Sequence, residues 1–169
     1  MSSFTGALIV QHDLDGMFTA WKPFRFQIIF GSDDFTVDVA EGARSNLSSV
    51  PPLVQPFIPK VGKYDQAGFI HDMLYMRHAV NCGDHWVQID RRYADLCFFH
   101  AMQALDVAPW RATSMYYAVR VAGQSYWDRT LFPVTEDQCT KRQLPTLTTP
   151  WEQQQLALSK KIARQVKRR

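Results

Sequence analysis

The stretch FIHDMLY, Phe69 to Tyr75, sets His71 and Asp72 side by side inside an apolar run. Burying two adjacent ionisable groups is costly unless each finds a polar partner to replace its lost water. Burial is what the flanking pattern predicts. From about Tyr64 to Ala79, Ala67, Ile70 and Leu74 recur on the 3.6-residue period of a helix with a core face. A chain with such a helix has to bring a second polar element against it, and this constrains the architecture more than any bulk property.

Two further helical patterns can supply that element. Residues from about 88 to 106 place Ala94, Cys97, Phe98, Ala101 and Leu105 on one face, and a third pattern over about 110–128 starts where Pro109 suits a first helical turn. NCGDHW joins the first two helices and is short enough to leave them antiparallel neighbours. On the first helix His71 and Tyr75 are four residues apart and share a face, whereas Asp72 is turned about 100° away. In DRRYADLCFF, which offers Asp90 and Asp95, the latter lies between Ala94 and Leu96 and is expected to face the partner helix. There it would meet an imidazole nitrogen of His71 and accept a hydrogen bond from Tyr75.

Before these helices the chain reads as β. FRFQIIF (Phe24 to Phe30) and FTVDVAE (Phe35 to Glu41) flank the turn signal GSDD, so a hairpin is predicted; Phe35, Val37 and Val39 alternate with Thr36, Asp38 and Ala40. Pro51, Pro52, Pro56 and Pro59 then keep the chain extended to about residue 61. The fold class expected is α+β: an N-terminal hairpin or small antiparallel sheet, about residues 17–45, packed on three helices over about 64–79, 88–106 and 110–128. Residues 1–130 form this single domain. Residues 131–169 add a Thr/Pro-rich extended arm and a basic C-terminal helix with a thin apolar stripe of Leu156, Ile162 and Val166.

A 46% hydrophobic and 13% aromatic content is that of a folded chain, and 169 residues fit one domain. No run approaches the roughly 20 apolar residues of a membrane span, and MSSFTGALIVQHDLDG lacks the features of a secretion signal. The expectation is a soluble chain made in a cytoplasm. Cys82, Cys97 and Cys139 form neither a disulfide framework nor a zinc pattern; Cys97 is read as a small core residue. The net charge of +3 is a tail property. Lys160, Lys161, Arg164, Lys167, Arg168 and Arg169 leave 13 basic against 16 acidic residues in the rest of the chain. Such a run fits partner binding, with lipid or nucleic-acid phosphates among the candidate contacts.

The chemistry that His71, Asp95 and Tyr75 would support is hydrolysis by an activated water. His71 is the base, Asp95 orients it and Tyr75 steadies the carboxylate. Asp72 could hold a hard cation, with calcium preferred because the nearby ligands are oxygens. A Ser/His/Asp reading with Ser48 or Ser49 ranks lower, since no GxSxG elbow is present. Beside these stands a structural reading, in which a buried His–Asp pair only fixes helix packing.

At these residues the chain resembles the phage and prophage family of unknown function DUF1353. The shared features are a Ser-x-Pro loop in SSVP (Ser48 to Pro51), HDMLY (His71 to Tyr75), ADLCF (Ala94 to Phe98) and MYYAVRVAG (Met115 to Gly123). The HDxxY and AD-x-x-F pair also resembles the phospholipase A2 core. That likeness implies His71 as catalytic base, Asp72 as calcium carboxylate, Asp95 as the histidine's partner and Tyr75 as the supporting phenol. Two departures stand out. PKVGKYDQAG lacks the glycine-rich calcium loop of phospholipases, and GARSNLSSVP carries Ala43 and Asn46 where the DUF1353 pattern has an aromatic residue and an acid. An amide at Asn46 is a poorer ligand for a hard cation than a carboxylate. The resemblance implies a virion component of tail, baseplate or neck, made in the host cytoplasm and contacting other virion proteins and further copies of itself. The alternative it implies is a calcium-assisted hydrolase of an envelope lipid or related ester.

Overall fold

The computed structural model of the chain describes residues 2–30, 32–46, 62, 64–129 and 134–166. Ser48, Ser49, the proline run from Pro51 to Pro59, and Lys167, Arg168 and Arg169 lie outside the described residues. Among those described, the architecture is α+β. A five-stranded antiparallel sheet contains β1 (Ser2–Thr5), β4 (Phe24–Phe30), β5 (Asp33–Val39), β7 (Ala79–Cys82) and β8 (His85–Gln88), in the order β1-β4-β5-β7-β8. A three-stranded sheet contains β2 (Val10–His12), β3 (Phe18–Ala20) and β6 (Arg44–Ser45), in the order β2-β3-β6. The helices are α1 (Asp65–Arg77), α2 (Arg91–Ala104), α3 (Pro109–Ala122), the short α4 (Gln124–Trp127) and α5 (Pro150–Val166).

The expected hairpin is β4–β5, with Phe26 opposite Val37 and Ile28 opposite Phe35. Phe24, Phe26, Ile28, Phe35, Val37 and Val39 are all buried, as strand alternation requires of residues on one face. Helices α1 and α2 pack on this sheet and on each other, and α3 packs on α2. The middle helix α2 is therefore enclosed; from Tyr93 to Phe99 every residue is buried, Asp95 included. Asp90 serves as its N-cap, accepting a 2.7 Å hydrogen bond from the Tyr93 amide. The small sheet matters for the site because its last strand, β6, reaches α1.

Three expectations need correcting. NCGDHW is not a plain helix–helix linker. It is the turn of the β7–β8 hairpin, with Gly83 at φ +62° in the position that two-residue turns give to glycine. Strands also begin well before residue 17, at β1 and β2. The third helical pattern stops at Ala122, and α4 follows Gly123 as a separate turn of helix.

After α4 the chain runs back along the body. Cys139 pairs with Trp86 on the edge strand β8, where the Thr140 amide donates to the Trp86 carbonyl at 2.8 Å. Leu147 is buried in the main core, and the His100 ring bonds the Thr148 carbonyl at 3.0 Å. Thr149 then starts α5 with a reciprocal cap. Its amide donates to the Glu152 carboxylate at 2.6 Å, and its hydroxyl accepts from the Glu152 amide at 3.1 Å. Thr149→Ala is expected to cost the first turn of α5 about 1 kcal/mol. Amide exchange over residues 152–156 should accelerate about fivefold while the unfolding midpoint of the body stays put.

Candidate functional site

The residues singled out in FIHDMLY converge on one carboxylate. Asp95 is fully buried (0% exposed) and each of its oxygens takes two donors. Oδ1 accepts from His71 Nε2 at 2.8 Å and from the Tyr75 hydroxyl at 2.7 Å. Oδ2 accepts from Arg120 at 2.7 Å and from Arg91 at 3.4 Å. An ionised carboxylate only accepts, so Nε2 of His71 carries a proton directed at Asp95. His71 is itself 4% exposed, with its ring against Tyr75 and Phe98.

Helix periodicity explains how three helices supply these groups. His71 and Tyr75 come from one face of α1, and Arg91 and Asp95 from one face of α2, each pair spaced by four residues. Arg120 comes from α3, and Arg91 additionally donates to the carbonyls of Val119 (3.3 Å) and Arg120 (3.1 Å) at the end of that helix. A guanidinium there adds a second donor to the Val119 carbonyl, which also accepts the Gly123 amide at 2.8 Å, bonds the Arg120 carbonyl, and matches the negative end of the helix dipole. Space is tight at this junction. A Cβ on Gly123 would lie 2.4 Å from the Tyr75 hydroxyl, 2.7 Å from the Val119 carbonyl and 3.3 Å from Arg91.

Burial by itself would raise the Asp95 pKa. The hydrogen bond and charge of His71, with the bonds from Arg120 and Tyr75, outweigh it and hold the carboxyl below its usual 3.8. Burial, then the Asp95 charge, pushes the Tyr75 phenol far above its usual 10, so it remains a neutral donor. Arg91 and Arg120 were not anticipated from sequence. For Arg91 the signal was present, since Arg91 and Asp95 stand at the i, i+4 spacing of a helical ion pair. Arg120, Gly123 and Ser45 reach the site only through tertiary packing.

Asp72 points elsewhere, as its position on the helix requires. It is half-buried and accepts a 2.5 Å hydrogen bond from the Ser45 hydroxyl of β6. Asn46 follows Ser45 directly and is exposed. Calcium takes six to eight oxygen ligands, usually including several carboxylates. Among the described residues no group of three or more His, Cys, Asp or Glu side chains could hold a metal ion. Among the described residues the Ser45 hydroxyl bonds the Asp72 carboxylate and the Asn46 amide follows Ser45 in sequence, and no step is assigned to a metal.

The tail residues Lys160, Lys161 and Arg164 are exposed on α5, apart from this site. Cys97 is buried, and burial raises its thiol pKa; Cys82, Cys97 and Cys139 are free thiols. His12 stacks on Phe18 and His78 on Trp127. No helix among the described residues is long and apolar enough to cross a membrane.

Residues 22–119 match the model of a family described as a protein of unknown function (DUF1353), a span that includes His71, Asp72, Tyr75, Arg91 and Asp95 but not Arg120 or Gly123. No curated protein and no solved structure matches the chain.

Proposed function

Starting from a chain that belongs to the DUF1353 family, we propose that it is a structural component of a bacteriophage particle, in the tail, baseplate or neck. In this reading the His71–Asp95 pair is a packing device. It is made in the host cytoplasm and assembled beside other virion proteins and further copies of itself. The observation that carries the reading is the set of donors on Asp95. A carboxylate that orients a catalytic histidine stabilises the positive charge arriving on the ring. Here two guanidinium groups already occupy its other oxygen, and a protonated His71 would be a third cation on one carboxylate. The same donors join α1, α2 and α3, which is what a rigid building block needs. The arm over residues 134–149 offers surface for neighbours in an assembly.

A hydrolase is the second reading, favoured by one observation. Asp95 Oδ1 receives both His71 Nε2 and Tyr75, the arrangement expected for an oriented general base with a supporting phenol.

One comparison separates the two. Wild type and His71→Ala are assayed on mixed-micelle phospholipid over a range of pH and with calcium, and purified particles are examined for the chain by mass spectrometry. We expect no turnover by either protein, the chain in the particles, and a loss of about 1–3 kcal/mol of stability in His71→Ala. Turnover by wild type that His71→Ala loses would establish the hydrolase instead, and absence from particles would remove the structural assignment.

A further inference from the structure

Helix α5 leaves the body almost at once. Its base is fixed by the Thr149 cap and by an amide pair between Gln103 and Gln153 at 2.7 Å. From Gln154 to Lys161 every residue is exposed, as are Ala163 and Arg164. Trp151 and Leu158, seven residues apart, share one side of the helix and are 59% and 52% exposed. Lys160 and Arg164 fall on the opposite side, and Lys161 lies at the boundary. Leu156, also exposed, sits among the cations.

The apolar side continues beyond α5. Trp151 lines a groove of about 300 Å³ together with Pro109 and Tyr117 at its rim. Tyr117 and Trp110, next to Pro109, are 46% and 58% exposed. Tyr117 and Trp151 meet at this groove, and Trp110 and Leu158, each seven residues from one of them on the same side of its helix, extend a strip of large side chains with their apolar parts in water. Across α3 and α5 the only acid is Glu152, and its carboxylate is engaged in the cap.

From this strip and its charge we infer that α5 and the adjoining face of α3 form a docking surface for an anionic lipid bilayer. This rests on observations separate from the His71–Asp95 node. The charge selects an anionic partner, because Lys160, Lys161 and Arg164 have no ion-pair partner among the described residues. The spacing favours a bilayer over a partner helix. A helical seam needs apolar residues every three to four positions along its whole length. Ile162 follows Leu158 at that spacing in the sequence, but Gln154 and Gln155 fill the turn between Trp151 and Leu158 and interrupt the seam. An interface between lipid headgroups and acyl chains demands no such register. It takes Trp and Tyr at headgroup depth, and lets long lysine stems carry their charge up to the phosphates.

The test is co-sedimentation of the full chain with sucrose-loaded vesicles of phosphatidylcholine, with and without about one third phosphatidylglycerol. The anionic vesicles should bind at least about tenfold more protein, falling as salt rises. Leu158→Glu and the pair Lys160→Glu with Lys161→Glu should each lower that binding about tenfold. Both alter side chains clear of the body, so its melting temperature should not move and serves as the control for folding. Equal binding to both vesicle types, or none, overturns the inference. So does unchanged binding of Leu158→Glu, which would mean adsorption by charge alone. It is equally overturned if sedimentation velocity shows a dimer that Leu158→Glu dissolves, since the occupant is then a second copy. Binding of a single-stranded oligonucleotide in place of vesicles, lost on charge reversal, overturns it in favour of nucleic acid.

Discussion

Asp95→Ala should lower the unfolding free energy by about 3–5 kcal/mol, the usual cost of removing one partner from a buried charge network. Four donors on three helices lose their acceptor together. Arg91 and Arg120 are left as guanidinium groups with no anion, and His71 and Tyr75 as buried polar groups short of a partner. Urea denaturation followed by circular dichroism measures the loss. If the chain does not fold, Asp95→Asn keeps the shape and removes only the charge, and a pH series then reads the same interaction. The folded carboxyl titrates below its usual 3.8, so the unfolded chain takes up the proton first as pH falls. Its contribution to stability is fully present above about pH 4 and disappears as pH drops through the lower folded value. Wild type should therefore lose stability in that acid window, and Asp95→Asn should show a flatter profile there. Identical profiles would mean that Asp95 does not carry the charge assigned to it.

Gly123→Ala should cost about 1–3 kcal/mol, as overpacking of a close-packed interior does. The cause is space alone, since the added methyl would sit 2.4 Å from the Tyr75 hydroxyl and 2.7 Å from a backbone carbonyl. A double-mutant cycle identifies the clash. Tyr75→Phe removes the hydroxyl and one of the four donors to Asp95, and should be destabilising by itself. In that background part of the Gly123→Ala cost should vanish, giving a coupling of about 0.5 kcal/mol or more. Strict additivity would show that the glycine is required for another reason.

How much of this was legible in the sequence differs between fold and site. The β4–β5 hairpin and the first three helices follow from periodicity, which survives tertiary context when one face is fully buried. The His71–Asp95–Tyr75 contact followed because His71 and Tyr75 share a helical face and Asp95 interrupts an apolar one. The β7–β8 hairpin was missed although Gly83-Asp84 is a two-residue turn signal, because four-residue strands give too short an alternation to outweigh neighbouring helices. Strands β1 and β2 are shorter than or as short as these; β1 pairs with the distant β4, and β2 pairs only with β3, itself three residues long. Arg120 carries no local sign of its role. Only the packing of α3 on α2 brings it to Asp95, and with it the charge balance on which the functional reading turns.

The return of residues 134–149 along the body also has a consequence in time. Strand β8 forms one edge of the large sheet, and its outer side meets Cys139 and Thr140. An uncovered edge strand invites pairing with any neighbouring chain. During synthesis β8 is made some fifty residues before its cover, by the positions of Trp86 and Cys139 in the chain. Leu147, which completes the core, emerges later still. A nascent chain whose sheet assembled before residues 134–149 emerged would present an unsealed edge, the kind of species most exposed to misassembly. Sealing that edge falls to the arm, whose Cys139 and Thr140 meet β8 and whose Leu147 enters the core.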